Sequence, residues 1–148
     1  MKATLRKSVN MAALAIAVVV NAPVSLADGP FAGTLGPGSA SIAPTDVYRL
    51  TCPGGTASAR ARVTNPDGNP VDEITVQVIA PTGLVRSAIA LEGVAAPTAI
   101  RTGAAGRYLV TVHKDSTLIA SRYSIVLDCH TAAGAAIAGN QSVLIQNQ

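Results

Sequence analysis

The sequence predicts an all-β fold, a single antiparallel β-sandwich of seven to eight strands with a jelly-roll or immunoglobulin-like arrangement and one inter-strand disulfide. Three observations carry this. Apolar and polar residues alternate with period two through short segments, turn residues recur about every ten positions, and no convincing amphipathic helix is present. A strand sends successive side chains to opposite faces, so such alternation marks one buried and one solvated face.

The first 27 residues stand apart from this pattern. A basic start (Lys2, Arg6, Lys7), an apolar run over 11–20 and a short polar stretch ending Ser25-Leu26-Ala27 have the layout of a secretory signal peptide. Small residues at 25 and 27 place cleavage between Ala27 and Asp28. The apolar run is well short of the roughly 20 residues that a spanning helix needs, and no Cys follows the cut to take a lipid. Cleavage leaves 121 of the 148 residues. No later stretch has spanning length, so no membrane span is expected in the mature chain.

Residues 28–40, DGPFAGTLGPGSA, are rich in Gly and Pro and show no period, which reads as a flexible leader. The remaining 41–148 form one β-sandwich domain. In 46–52 the core face carries Tyr48, Leu50 and Cys52. In 57–64 the small residues Ala57, Ala59 and Ala61 with Val63 point in, while Arg60 and Arg62 point out. Inward residues this small imply close approach of another layer. Asn65-Pro66-Asp67-Gly68-Asn69-Pro70 is a dense turn signal, and a strand with Ile74, Val76 and Val78 in phase follows over 74–80. Pro81-Thr82-Gly83 turns into a strand over 85–91, and the Gly, Ala and Pro-rich stretch 92–106 holds a short strand over 99–102.

The strongest alternation is RYLVTVH over 107–113, with Tyr108, Val110 and Val112 inward; Lys114-Asp115-Ser116 turns the chain. Residues 121–129 run back with Tyr123, Ile125, Leu127 and Cys129 on one face, and 142–146 supply a last strand. Cys52 and Cys129 both fall on apolar faces in the exported part, an even pair in an oxidising compartment. Their disulfide would close 77 residue steps, worth roughly 4 kcal/mol in the chain-entropy treatment.

The series Asp46-x-Tyr48-x-Leu50, then Gly106-Arg107-Tyr108-Leu109-Val110-Thr111-Val112, then Arg122-Tyr123-Ser124-Ile125-Val126-Leu127 resembles the bacterial pre-peptidase C-terminal (PPC) domain family over residues 44–129. The resemblance implies a jelly-roll-like sandwich serving as an accessory or binding module of exported proteins, without catalysis. Cys52, Cys129 and the dipeptide Cys52-Pro53 depart from the family pattern, and no peptidase is attached. Some PPC relatives hold calcium in acidic loops.

The candidate sites are sparse. His113 and His130 lie at strand ends outside any nucleophile motif such as G-x-S-x-G, and the expected disulfide consumes Cys129, so no catalytic residue is assigned. No transition-metal pattern is present, and the two histidines meet only if their strand ends adjoin. The best oxygen-ligand set for calcium is Asn65, Asp67, Asn69, Asp72 and Glu73 in one turn, although a plain turn has the same composition. No cofactor is implied. Arg60 and Arg62, with Arg49, outline a basic stripe for an acidic polymer; outward charge on a strand also serves solubility. Asn140-Gln141-Ser142 matches a short glycosylation sequon that recurs by chance.

The whole chain carries 11 Lys and Arg against 8 Asp and Glu. The three charges of the signal are all basic, so the mature chain balances at zero and the argument for nucleic acid disappears. The expected protein is therefore a periplasmic or secreted bacterial β-sandwich, not an enzyme, that binds a protein or cell-envelope component. The alternatives are a structural subunit of a surface fibre or layer, and a carbohydrate-binding module. Few charges separate copies, which favours self-association.

Overall fold

The structure, a computed structural model, describes residues 28–36, 44–66, 73–90, 98–114 and 119–147. Among them are nine strands and no helix: β1 (Asp28–Leu35), β2 (Thr45–Cys52), β3 (Ser58–Thr64), β4 (Ile74–Ile79), β5 (Val85–Ala90), β6 (Ala99–Thr102), β7 (Gly106–Lys114), β8 (Ser121–His130) and β9 (Gln141–Gln146). They form two antiparallel sheets, ordered β1-β8-β3-β6 and β5-β4-β7-β2-β9, packed as a sandwich. The signal segment and Ala27 lie outside the described residues. The eight strands read from alternation are all present, and the ninth is β1.

That strand corrects the reading of a flexible leader over residues 28–35, whereas 37–40 lie outside the described residues. β1 pairs with β8 from Phe31↔Ile125 to Leu35↔Ser121, with a register shift between Asp28 and Phe31. Pro30 has no N–H to give a ladder, so a sheet edge with a local bulge is where a strand holding it belongs. Gly33 lies against the Tyr123 ring so closely that a Cβ there would collide with it. Its lack of a side chain is a packing requirement. Leu35 is fully buried, and Phe31 packs on the core with its ring 6.0 Å from that of Tyr48.

The core follows the predicted parity. Tyr48, Leu50, Ala59, Ala61, Val63, Ile74, Val76, Val78, Tyr108, Val110, Val112, Tyr123, Ile125 and Leu127 are all buried, the larger ones contributing about 1.5–3 kcal/mol each. Side-chain size is unevenly distributed. The buried alanines Ala59, Ala61, Ala80, Ala88, Ala90 and Ala99 belong to β3, β5, β6 and the end of β4, where the sheets meet along the β5/β6 flank. Tyr48, Tyr123, Leu35 and Leu50 fill the side formed by β1, β8 and β2.

Parity runs further than polarity suggested. Lys114, expected in a turn, is the last residue of β7, in phase with Val110 and Val112; it is 0% exposed and its Nζ donates to Ser121 Oγ at 3.3 Å. Asn65 continues the inward row Ala59, Ala61, Val63 and is also 0% exposed. Asp46, in phase with Tyr48, is 1% exposed. The Tyr123 hydroxyl donates to Asp46 Oδ2 at 2.5 Å, and with that proton committed the Tyr48 hydroxyl donates to Tyr123 at 2.7 Å. These polar side chains close one end of the core, where hydrogen bonding offsets the cost of taking them out of water.

The other end is closed covalently. Cys52 of β2 and Cys129 of β8 form a disulfide between the sheets, with Cα atoms 5.6 Å apart. Cys52 pairs with Gly106 at the start of β7, whereas Thr45 pairs with His113 near its end, so the bond and the polar cluster occupy opposite ends.

Candidate functional site

Register decides which of the singled-out residues meet. On the outer face of the four-stranded sheet, Arg60 lies opposite Asp128, Arg62 opposite Val126 and Ser58 opposite His130. Spacing of two along β3 and β8 puts both arginines beside the carboxylate and the imidazole. With Thr98 they line a groove of about 180 Å³.

Arg60 Nε is buried there with no hydrogen-bond partner among the described residues, and Arg60 as a whole is partly buried. The His130 Nδ1 proton is donated to Gly134 O at 2.8 Å, since a carbonyl can only accept, and this turns Nε2 toward Asp128 Oδ2, 4.0 Å away. At that distance the two groups are not hydrogen-bonded, and the contact is an ion pair only with a protonated imidazole. The 131–137 loop holding Gly134 is itself fixed, by Thr131 N to Ala135 O at 2.8 Å and Ile137 N to Cys129 O at 2.8 Å. Gly134 adopts φ 83°, a left-handed conformation that favours glycine. The groove thus offers guanidinium donors on one side and a carboxylate and imidazole on the other. It can bind a polar partner, and no hydroxyl or thiol nucleophile is positioned by these bonds.

Other expectations separate. Arg49 points outward from the five-stranded sheet, between Leu109 and Val143, so it cannot extend a stripe with Arg60 and Arg62 on the opposite sheet. His113 pairs with Thr45 and Thr75 at the end remote from the disulfide, and His130 adjoins Cys129, so the two histidines do not meet. Of the calcium set, Asp67, Asn69 and Asp72 lie outside the described residues. Asn65 is turned into the core while Glu73 is exposed, so these two do not share a solvent-facing site. Among the described residues no three His, Cys, Asp or Glu side chains gather as a metal site.

A larger cleft of about 360 Å³ lies between the 81–84 turn and the 102–105 loop, lined by Ala80, Pro81, Leu84, Arg101, Ala104 and Tyr108 among others. Tyr108 donates to Ala104 O at 2.7 Å, and a Cβ on Gly103 would strike its hydroxyl. Burial raises the Tyr108 hydroxyl above its ordinary pKa, against the opposing effect of the Arg101 charge. Sequence reasoning missed Asp128 and Arg101. Asp128 was legible as an outward-phase residue two before His130; Arg101 sits on a four-residue strand too short to reveal its parity.

The chain has three tyrosines, one phenylalanine and no tryptophan. The tyrosines are 1–2% exposed and present no face for sugar stacking, and the partly buried Phe31 packs on the core. Comparison with known proteins gives no matching family model, no similar curated protein and no similar solved structure.

Proposed function

We propose that this chain is an exported, non-catalytic β-sandwich that binds a protein or cell-envelope component in the periplasm or outside a bacterial cell. The observation that carries the reading is the groove over β3 and β8, where Arg60, Arg62, Asp128 and His130 are held together by strand register and a bonded loop. The cross-sheet disulfide and the signal-like first 27 residues support export, and the resemblance to PPC domains agrees with an accessory role. The balanced charge of the mature chain makes local complementarity the source of specificity.

The test is capture from envelope extracts by the wild type and by the double variant Arg60→Glu, Arg62→Glu. One species retained by the wild type and lost with the variant is the expected result. Equal retention by both, with the variant folded, would remove the groove from the binding site.

One observation favours assembly as a second reading. β9, QSVLIQ, ends the five-stranded sheet without charge, Pro or Gly, and Val143, Leu144 and Ile145 are exposed. The other edges carry Pro30, Arg86 or Arg101. Uncharged edges template pairing with another strand. Sedimentation of wild type and Val143→Lys over a wide concentration range tests it, and a wild type that stays monomeric throughout would reject assembly through this edge.

A further inference from the structure

We propose that the cleft between the 81–84 turn and the 102–105 loop binds a carboxylate bearing a short apolar chain, with Arg101 as its charge partner. The site is separate from the groove on the outer sheet face and stands independently of the function proposed above. Arg101 pairs with Ala59, whose side chain is fully buried, so Arg101 leaves β6 on the inner side, at the open flank of the sandwich. Arg101 is partly buried and lines the cleft; its Nε is buried, with no hydrogen-bond partner among the described residues. A guanidinium has only donors, so the part of it that lines the cleft calls for an acceptor, and a carboxylate supplies one through a short charge-assisted bond.

The remainder of the cleft is mainly apolar, with Thr82 and Thr102 also on its lining. Ala80, Pro81 and Leu84 form one wall, and Ala104, Ala105 and the Tyr108 ring form the other. Leu84 is 55% exposed, the highest value among the exposed large hydrophobics, which fits a position that an apolar tail would cover. A volume of about 360 Å³ lies in the range of small-ligand sites, roughly 300–1,000 Å³. Both walls are already in place. The turn is closed by Ala80 N to Leu84 O and Gly83 N to Ala80 O, each 2.9 Å, and the loop by Gly103 N to Ala57 O at 3.0 Å. Binding therefore needs little ordering of the protein.

An inward charge on a short edge strand also deters pairing with another sheet. That role does not require a preformed, walled cleft beside the guanidinium.

The test uses protein expressed from the full-length sequence with its disulfide formed. Hexanoate, hexanol and a peptide ending in leucine, with free or amidated C-terminus, are titrated by calorimetry and by amide-resolved NMR. Saturable hexanoate binding is expected, with shifts at residues 81–84 and 102–105. Hexanol, and hexanoate with Arg101→Gln, should bind about tenfold or more weakly. A free C-terminus that outperforms hexanoate, with the amide inactive, identifies a peptide end as the carboxylate source, whereas hexanoate at least as tight identifies a free acid. No saturable binding up to about 10 mM overturns the proposal. So does equal affinity for hexanoate and hexanol in the wild type, a comparison that stands even if Arg101→Gln fails to fold.

Discussion

All three tyrosines lie in the core, so raising the pH is a sharp perturbation of this fold. Burial is the main force raising each hydroxyl above its ordinary pKa; for Tyr123 the bond to Asp46 adds to it, and for Tyr48 the bond to Tyr123 partly offsets it. In the unfolded chain a tyrosine ionises near about pH 10. Between that point and the higher folded value, the unfolded state has lost a proton that the folded state keeps. Stability therefore falls as pH rises through this window, by about 1.4 kcal/mol per pH unit for each tyrosine. Tyr123, the most strongly raised of the three, alone removes about 1.4 kcal/mol by about pH 11, and Tyr48 and Tyr108 add to the loss in the same direction. Urea unfolding followed by circular dichroism at neutral pH and at successive alkaline steps measures the loss. The ultraviolet band of tyrosinate, recorded on the same samples, should appear together with unfolding. Tyrosinate forming at an ordinary pH in a protein with intact near-ultraviolet dichroism would refute the argument, as would a urea midpoint unchanged across the window.

Two further outcomes concern the ends and the edge of the sandwich. Replacing both Cys52 and Cys129 with Ser should lower stability by about 4 kcal/mol through release of the 77-residue loop, read from the urea midpoint against the oxidised wild type. Gly33→Ala should cost about 1–3 kcal/mol, because the new methyl meets the Tyr123 ring, and hydrogen exchange should rise first in β1. A wild-type exchange pattern in β1 would show that the ring moves aside freely.

Eight strands were legible because their alternation records one-sided burial. β1 escaped because Gly and Pro carry no alternation, although both suit an edge strand packed on an aromatic ring. The buried Asp46, Asn65 and Lys114 were each in phase with apolar neighbours, and polarity concealed what parity disclosed. The groove was half legible. Arg60, Arg62 and His130 stood out as outward or strand-end residues, but their meeting depends on β3 pairing with β8 across about 70 positions, which no local pattern encodes. Arg49 and His113 show the reverse, residues of suitable chemistry that the topology places elsewhere.

The alanine-lined flank gives the sandwich two opposite kinds of vulnerability. Along β5 and β6 a side chain trimmed to glycine removes little volume, whereas any enlargement has to push the sheets apart at a cost of about 1–3 kcal/mol. Across β1, β2 and β8, where Leu35, Leu50 and two tyrosines fill the space, truncation opens a cavity and costs about 2–5 kcal/mol. A library of random substitutions would therefore return gains of volume as the damaging class on one flank and losses of volume on the other.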